Sequence, residues 1–302
     1  MSDARGLGML TLLLGVLLAA SVAIGTTGVT PWDLLDAEAA RRALAAMVLW
    51  EIRLPRTVLA ATTGASLGLS GAVLQGLLRN PLAGPGIVAD TPTIAGGFAA
   101  VLLLGALAGR GAGTLTLILA GVALSSLAVS LTSLALNLAP SPFAAYEIMF
   151  WLLGSVADRS WAHAATALPF VLAGWALLFS TGRGLAALTL GEDVARSLGV
   201  DLARLRWTAV IGTAACVGAS VAVAGAIGFV GLVAPHLLRR LTGHDPRRLL
   251  VPSAVGGAAL LLAADLAVRL VPSAQELKLG VATALVGAPV FLWQVLRVRG
   301  TG

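Results

Sequence analysis

The sequence predicts an all-α polytopic membrane protein with about ten transmembrane helices, and three observations carry this. First, 58% of the 302 residues are hydrophobic and only 11% are charged, against about 25% charged in an ordinary soluble domain. Second, the apolar residues come in long runs, each near the roughly 20 residues that a bilayer span requires. Third, no alternating barrel pattern accompanies them, and lipid accepts only helices and closed barrels. The 20 basic and 14 acidic residues are too few to cover a soluble chain of this length. A soluble enzyme, a nucleic-acid-binding domain and a disordered chain are thereby excluded.

In chain order the expected spans are 6–25, 57–78, 91–108, 114–136, 143–157, 162–180, 207–223, 226–241, 251–268 and 279–296. They fill the chain as a single transmembrane domain over 1–302, with no room for a sizeable soluble domain. The first run follows Arg5 and ends in small residues near Ser21, so it also has the form of a signal peptide. It is nevertheless long enough to span, and nothing after it resembles a secreted domain. Residues 26–52 are the longest polar stretch, with Asp33, Asp36, Glu38, Arg41, Arg42 and Glu51. Gly64 and Gly68 have the small-xxx-small spacing that lets helix backbones approach closely. Pro81, Pro85 and Pro92 predict an irregular segment between the second and third spans.

Ten spans place both termini on one side of the membrane. A cytoplasmic N-terminus puts 12 of the 20 basic residues on inner segments and 8 on outer ones, a modest preference for that orientation. The net charge of +6 is then a topology marker, with nucleic acid excluded as a partner. A single cysteine, Cys216, excludes an internal disulfide and a multi-cysteine metal site. The histidines are scattered, and no metal-ligand spacing is present. No phosphate-binding Gly-x-x-x-x-Gly-Lys-Ser/Thr segment exists, and the one lysine is Lys278. The chain is therefore not itself an ATPase.

Six segments then narrow the reading. Arg53-Leu54-Pro55-Arg56 leads into TVLAATTGASLGLSGAVLQGLLRNPLAGPGIVA, followed by LAGVALSSL (119–127), FWLLGS (150–155) and GEDVARSLGV (191–200). GAIGFVGLVAPHLLRRLTGHDPRRLLVPSA (225–254) and QELKLGVATALVGAPVFLW (275–293) complete the set. In order and spacing, from about residue 50 to 297, these resemble the FecCD family. Its members are the membrane-spanning permeases of ABC importers for iron–siderophore complexes, haem and cobalamin.

The resemblance implies a type II importer permease working by alternating access in the inner membrane of a bacterium or archaeon. It implies four kinds of partner: a second copy of the chain, two ABC ATPase subunits, an extracytoplasmic substrate-binding protein and the lipid bilayer. No cofactor is expected on this chain, and ATP is expected to be used by the ATPase partner. Arg53, Arg56 and Arg269 match the arginines that face the binding protein, where a ring of guanidiniums would pair with acidic residues. The residues alone fit anchoring to headgroup phosphates as well. Gly191, Glu192, Ala195, Leu198 and Gly199 match the segment that couples to the ATPase. Small residues at 191, 195 and 199 would let a helix face lie close to that partner.

Other positions are expected along the path. Glu147, near the inner start of the fifth span, is placed by the resemblance near an inner gate. Pro92 and Gly96 fall where the sequence departs from the family's pattern beside the path. Lys278 replaces the family's proline at the start of the last span and adds a positive charge near the outer mouth. Asp265 and Arg269, four residues apart, are expected to pair on one helix face. Among cargoes, iron–siderophore is favoured on family abundance alone.

Two rivals come from other classes. A gradient-driven secondary transporter usually carries mid-membrane carboxylates or histidines and repeated halves, which are not evident here. An intramembrane serine protease is the second, because Gly68-Leu69-Ser70-Gly71 has the Gly-x-Ser-Gly form. It would use Ser70 as nucleophile and His163 as base.

Overall fold

The computed structural model describes residues 2–25, 27–36, 38–79, 114–271 and 276–299, and these are helical with short connections. The principal helices are α1 (Ser2–Ala23), α2 (Ala39–Met47), α3 (Leu54–Leu78), α4 (Thr114–Asn137) and α5 (Pro142–Leu153). They continue as α6 (Trp161–Ser180), α7 (Gly182–Leu188), α8 (Glu192–Ser197), α9 (Leu202–Ala224), α10 (Val230–Leu238), α11 (Pro246–Leu270) and α12 (Leu279–Arg299). Arg5–Ala23, Ala39–Leu78, Trp161–Leu188, Leu202–Ala224 and Pro246–Leu270 are long and apolar enough to cross a membrane. Gly121–Asn137, Pro142–Leu153 and Leu279–Leu292 are shorter apolar helices. Nine of the ten expected spans thus have a helix among the described residues. The third, 91–108, lies outside them.

Caps explain several boundaries. Ser141 Oγ accepts from the Ala144 N–H at 3.3 Å, and Pro142 opens α5, where a missing N–H costs nothing. Asp201 caps α9 through the Arg204 N–H at 3.0 Å. Asp245 caps α11 through the Arg247 N–H at 2.9 Å, again with proline at the first position. Arg79 ends α3 in the left-handed region, at φ 49°.

Three expectations need correction. Residues 26–52 are not simply a polar link. Pro31–Leu35 is a 3₁₀ turn, and α2 runs through a π-helical turn (Val48–Arg53) directly into α3. Pro55 gives the physical reason: it lacks an N–H, and its ring would strike the carbonyl four residues back. A wider turn, with the Leu54 N–H bonded to Leu49 O, relieves this. The fifth span, expected to reach 157, stops as a helix at Leu153, because Gly154 turns the chain at φ 63°. The eighth, expected over 226–241, is helical only over Val230–Leu238, followed by a 3₁₀ turn at Arg239–Thr242. Phe229, at φ 65°, holds off its start.

α3 is the hub, packed along its length on α11 and also against α6, α9 and α10. The expected close approach at Gly64 and Gly68 is present. A Cβ on Gly64 would overlap Gly257 O, and one on Gly68 would overlap Ser253 O. Trp175 Nε1 donates to Ser66 Oγ at 3.0 Å, tying α6 to α3. The buried apolar side chains form two layers. Leu59, Leu67, Val171, Val217 and Leu261 belong to one. Leu69, Val73, Leu178, Leu185 and Leu205 belong to the other. In lipid, such packing holds helices together through close contact rather than through escape from water.

Candidate transport site

Two clusters of charged side chains stand out, one at the Arg53 end of the helices and the other at the Glu192 end. At the Arg53 end, α1 finishes, α3 begins and α11 finishes. The last carbonyls of a helix have no partner within it, and here arginines supply one. Arg53 Nη1 donates to Val22 O at 3.0 Å and Ala23 O at 2.8 Å. Its Nη2 donates to Thr27 Oγ1 at 3.2 Å and Val29 O at 2.6 Å. Arg269 Nη1 donates to Ser21 O at 2.8 Å and Ile24 O at 3.1 Å. Its Nη2 reaches Ser21 Oγ at 3.1 Å and pairs with Asp265.

Arg56 completes the cluster. Its Nε and Nη2 donate to Asp265 Oδ1 at 3.0 and 2.7 Å, and it pairs with Glu276. Ser21 Oγ and Thr57 Oγ1 share a hydrogen bond at 2.7 Å. The three arginines expected to form an outward-facing ring do converge, but their guanidiniums are engaged inside the protein. Arg53 is only 3% exposed. The α1 carbonyls and the Asp265 carboxylate draw them inward. The Asp265–Arg269 pair expected from spacing is present, with Arg56 as an unexpected third member. Glu276 was legible only as part of a segment, because its partner lies 220 residues away.

At the Glu192 end, the 191–199 segment forms the short helix α8. Gly191 and Gly199 flank it at φ 112° and 82°, a region that glycine adopts freely. The Val200 N–H bonds to Ala195 O at 3.0 Å and the Gly199 N–H to Arg196 O at 2.9 Å. This pair of bonds is a Schellman cap. Glu192 accepts from Arg206 Nη2 at 2.9 Å and Arg196 Nη2 at 3.2 Å. The expected helix is present, but the face of small residues is not what it offers outward. Ala195 is 0% exposed and packs into the layer of Leu188, Leu202 and Leu205. The glycines serve the turns. Leu198, at 62% exposure, together with Leu190, Val194 and Asp193, is what α8 and its flanks present. Arg206, the partner of Glu192, was missed because the link spans a turn and a change of helix.

Glu147 and Lys278 line one cleft of about 470 Å³ with Tyr146, Trp151 and Arg159. The cleft also includes Asp158 and Gly225. Glu147 lies midway along α5, and the cleft it lines also takes in the end of α9 at Ala224. The Arg159 guanidinium stacks 5.3 Å from the Trp151 ring. Burial pushes its pKa down, and Asp158 partly offsets this.

Beside this cleft, three backbones meet. Ser155 N–H bonds to Ala224 O at 2.7 Å, Ala226 N–H to Trp151 O at 3.2 Å, and Gly280 N–H to Gly154 O at 3.3 Å. A Cβ on Gly154 or Gly280 would overlap a neighbouring carbonyl. A second, apolar cleft of about 650 Å³ adjoins this junction, lined by Leu153, Phe229, Val281 and Leu285 among others. Pro92 and Gly96 lie outside the described residues. Ser70 is buried within α3 with its hydroxyl unpartnered. His163 caps the start of α6 through Ser160, so the hydrogen bonds give no nucleophile–base pair.

This packing defines the class: an α-helical bundle in which five helices are long and apolar enough to cross a membrane. Residues 12–91 and 88–297 match the model of the FecCD transport family, and the chain belongs to that family. It is 40% identical over 326 residues to the vitamin B12 import system permease protein BtuC of Klebsiella pneumoniae, covering 99% of this chain and 95% of that one. It is also 40% identical over 285 residues to the uncharacterized ABC transporter permease protein YvrB of Bacillus subtilis, covering 84% and 80%. A solved structure named as an inward-facing metal-chelate type ABC transporter superposes with a TM-score of 0.85 at 32% identity, covering 97% of this chain and 99% of that one. The type II importer permease fold is thereby shown. Members of this family work with ATPase and binding-protein partners.

Proposed function

We propose that the chain, acting as one transmembrane domain, is the permease of an ATP-driven importer for cobalamin or a closely related corrinoid. Two copies pair around the path, two ATPase subunits dock at the Glu192 end, and a binding protein docks at the Arg53 end. The observation that carries this is the arrangement of the two ends around paired clefts. A pinned surface helix sits at one end. A polar cleft and an apolar cleft meet at a glycine-lined junction towards the other. The relatives named for vitamin B12 import favour a corrinoid over the iron–siderophore expected from abundance. The Glu192 end then faces the cytoplasm of the inner membrane, as the arginine distribution favours.

ATP is used by the partner, and this chain carries no cofactor. ATPase closure moves α8 as a unit with the layer that buries Ala195, and this shifts α5 and α12 at the junction. Cargo passes between the two copies and meets Tyr146, Trp151 and Lys278 on the way. Arg53 and Arg269 hold the docking platform. Arg56 makes the docking contact, because its partner Glu276 is 32% exposed and can exchange with a carboxylate of the binding protein.

The test is uptake of labelled cyanocobalamin and of a ferric siderophore into liposomes carrying the permease with its ATPase and binding protein. ATP-dependent cobalamin uptake is expected. Uptake of the siderophore alone would overturn the cargo. Uptake without ATP that collapses with the proton gradient would restore the secondary-transporter reading.

A further inference from the structure

Two clefts lie side by side against the first turns of α11. One, of about 420 Å³, separates them from the start of α1, and the other, of about 410 Å³, from the end of α6. Arg247 and Val251 line both, so the two adjoin as a paired groove on this face of α11. Its rim is cationic, with Arg183, Arg247 and Arg248. Its floor is apolar, with Leu10, Phe179 and Val251.

Asp245 touches the rim, 3.5 Å from Arg248 Nε. That carboxylate also accepts the Arg247 backbone N–H as the cap of α11. The Arg183 and Arg247 guanidiniums form no ion pair among the described residues. Moreover, Arg247 and Arg248 sit in the first turn of α11, where the helix dipole is already positive. An anion between these groups would relieve both repulsions.

We propose that this groove binds an anionic phospholipid, with its phosphate between Arg183 and Arg247 and an acyl chain along Leu10 and Val251. A phosphate above hydrocarbon is the complement of arginines above an apolar floor. The groove is walled by membrane-spanning helices, so lipid reaches it laterally. Basic pockets between such helices at a membrane surface bind anionic headgroups. A small soluble anion would leave the apolar floor uncovered.

Native mass spectrometry of the full chain in mild detergent tests this. Palmitoyl-oleoyl phosphatidylglycerol and palmitoyl-oleoyl phosphatidylcholine are added in equal amounts. Retention of phosphatidylglycerol should exceed that of phosphatidylcholine about 25-fold, since each of the two arginines contributes roughly a five-fold factor. Arg183→Gln with Arg247→Gln should bring the preference close to unity, and the corresponding pair of lysine substitutions should retain most of it. Arg240→Gln, exposed at the same end but outside the groove, should leave it unchanged. Equal retention of the two lipids, or a preference that survives the double glutamine variant, would overturn the site. Equal loss in Arg240→Gln would reduce the effect to diffuse surface charge. Displacement by glycerol phosphate would make the groove a soluble-anion site and overturn the lipid assignment.

Discussion

At the scale of single residues, Asp265 has the most to neutralise. It is 1% exposed and faces both Arg56 and Arg269. Removing one partner from a buried ion cluster costs about 3–5 kcal/mol, because the remaining charge is left uncompensated. Asp265→Ala should therefore unfold the Arg53 end or lower the melting temperature sharply, as read by tryptophan fluorescence in detergent. Glu276→Gln should cost about 1 kcal/mol or less, since a partly solvated pair contributes little. If the two variants melt alike, Asp265 is not the central counter-charge. The i,i+4 spacing made the Asp265–Arg269 pair legible. Arg56 and the α1 carbonyls were not legible as partners, because spacing along a chain says nothing about which helix end packs nearby.

At the scale of elements, the two polar segments respond to different perturbations. Asp33 accepts from the Thr30 N–H at 2.6 Å and Thr30 Oγ1 at 2.9 Å, and pairs with Arg41 at 3.1 Å. The Thr30 backbone bond is the main cause that holds its pKa below the usual carboxylate value. A lowered folded-state pKa stabilises the turn above the ordinary carboxylate value, near about 4, and the effect is lost as pH falls through the folded value. Hydrogen exchange over 30–41 should thus quicken, beyond its intrinsic pH dependence, below about pH 4. Asp33→Asn should remove that added acid dependence. In α8, by contrast, burial decides the outcome. Leu198→Asp should leave the melting temperature unchanged while uncoupling ATP hydrolysis from uptake. Ala195→Leu should destabilise by about 1–3 kcal/mol through overpacking. Equal destabilisation by both would mean that Leu198 is not a partner-facing residue. The helix itself was legible from its polar run between apolar ones. Which face it buries was not, because glycines at 191 and 199 look the same whether they serve a contact or a turn.

At the scale of the whole molecule, the span count was legible because hydrophobic length is a local property. The places where it failed share a cause. The early stop at Gly154 and the delayed start after Phe229 are backbone irregularities inside apolar sequence, the π turn before Pro55 is one at the end of a polar stretch, and hydropathy registers none of the three. Such irregularity is tolerated at membrane depth where protein surrounds it or a cavity lies beside it, and two of the three stand beside the paired clefts. The packing of α3 on α11 is different, since Gly64 and Gly68 announced a close helix contact, though not its partner. Loss of that contact should therefore propagate to the entire structure. A side chain at Gly68 would displace the Ser253 backbone, which no rotamer change can avoid. Gly15 provides the matched control on the exposed α1, because a Cβ there would meet nothing within 4 Å. Gly68→Val should abolish a monodisperse peak in detergent gel filtration and raise proteolysis across several loops at once. Gly15→Val should behave as the parent in both assays. A Gly68→Val protein that stays monodisperse and protease-resistant would show that α3 and α11 can separate without loss of the fold, and the hub assigned to α3 would have to be abandoned.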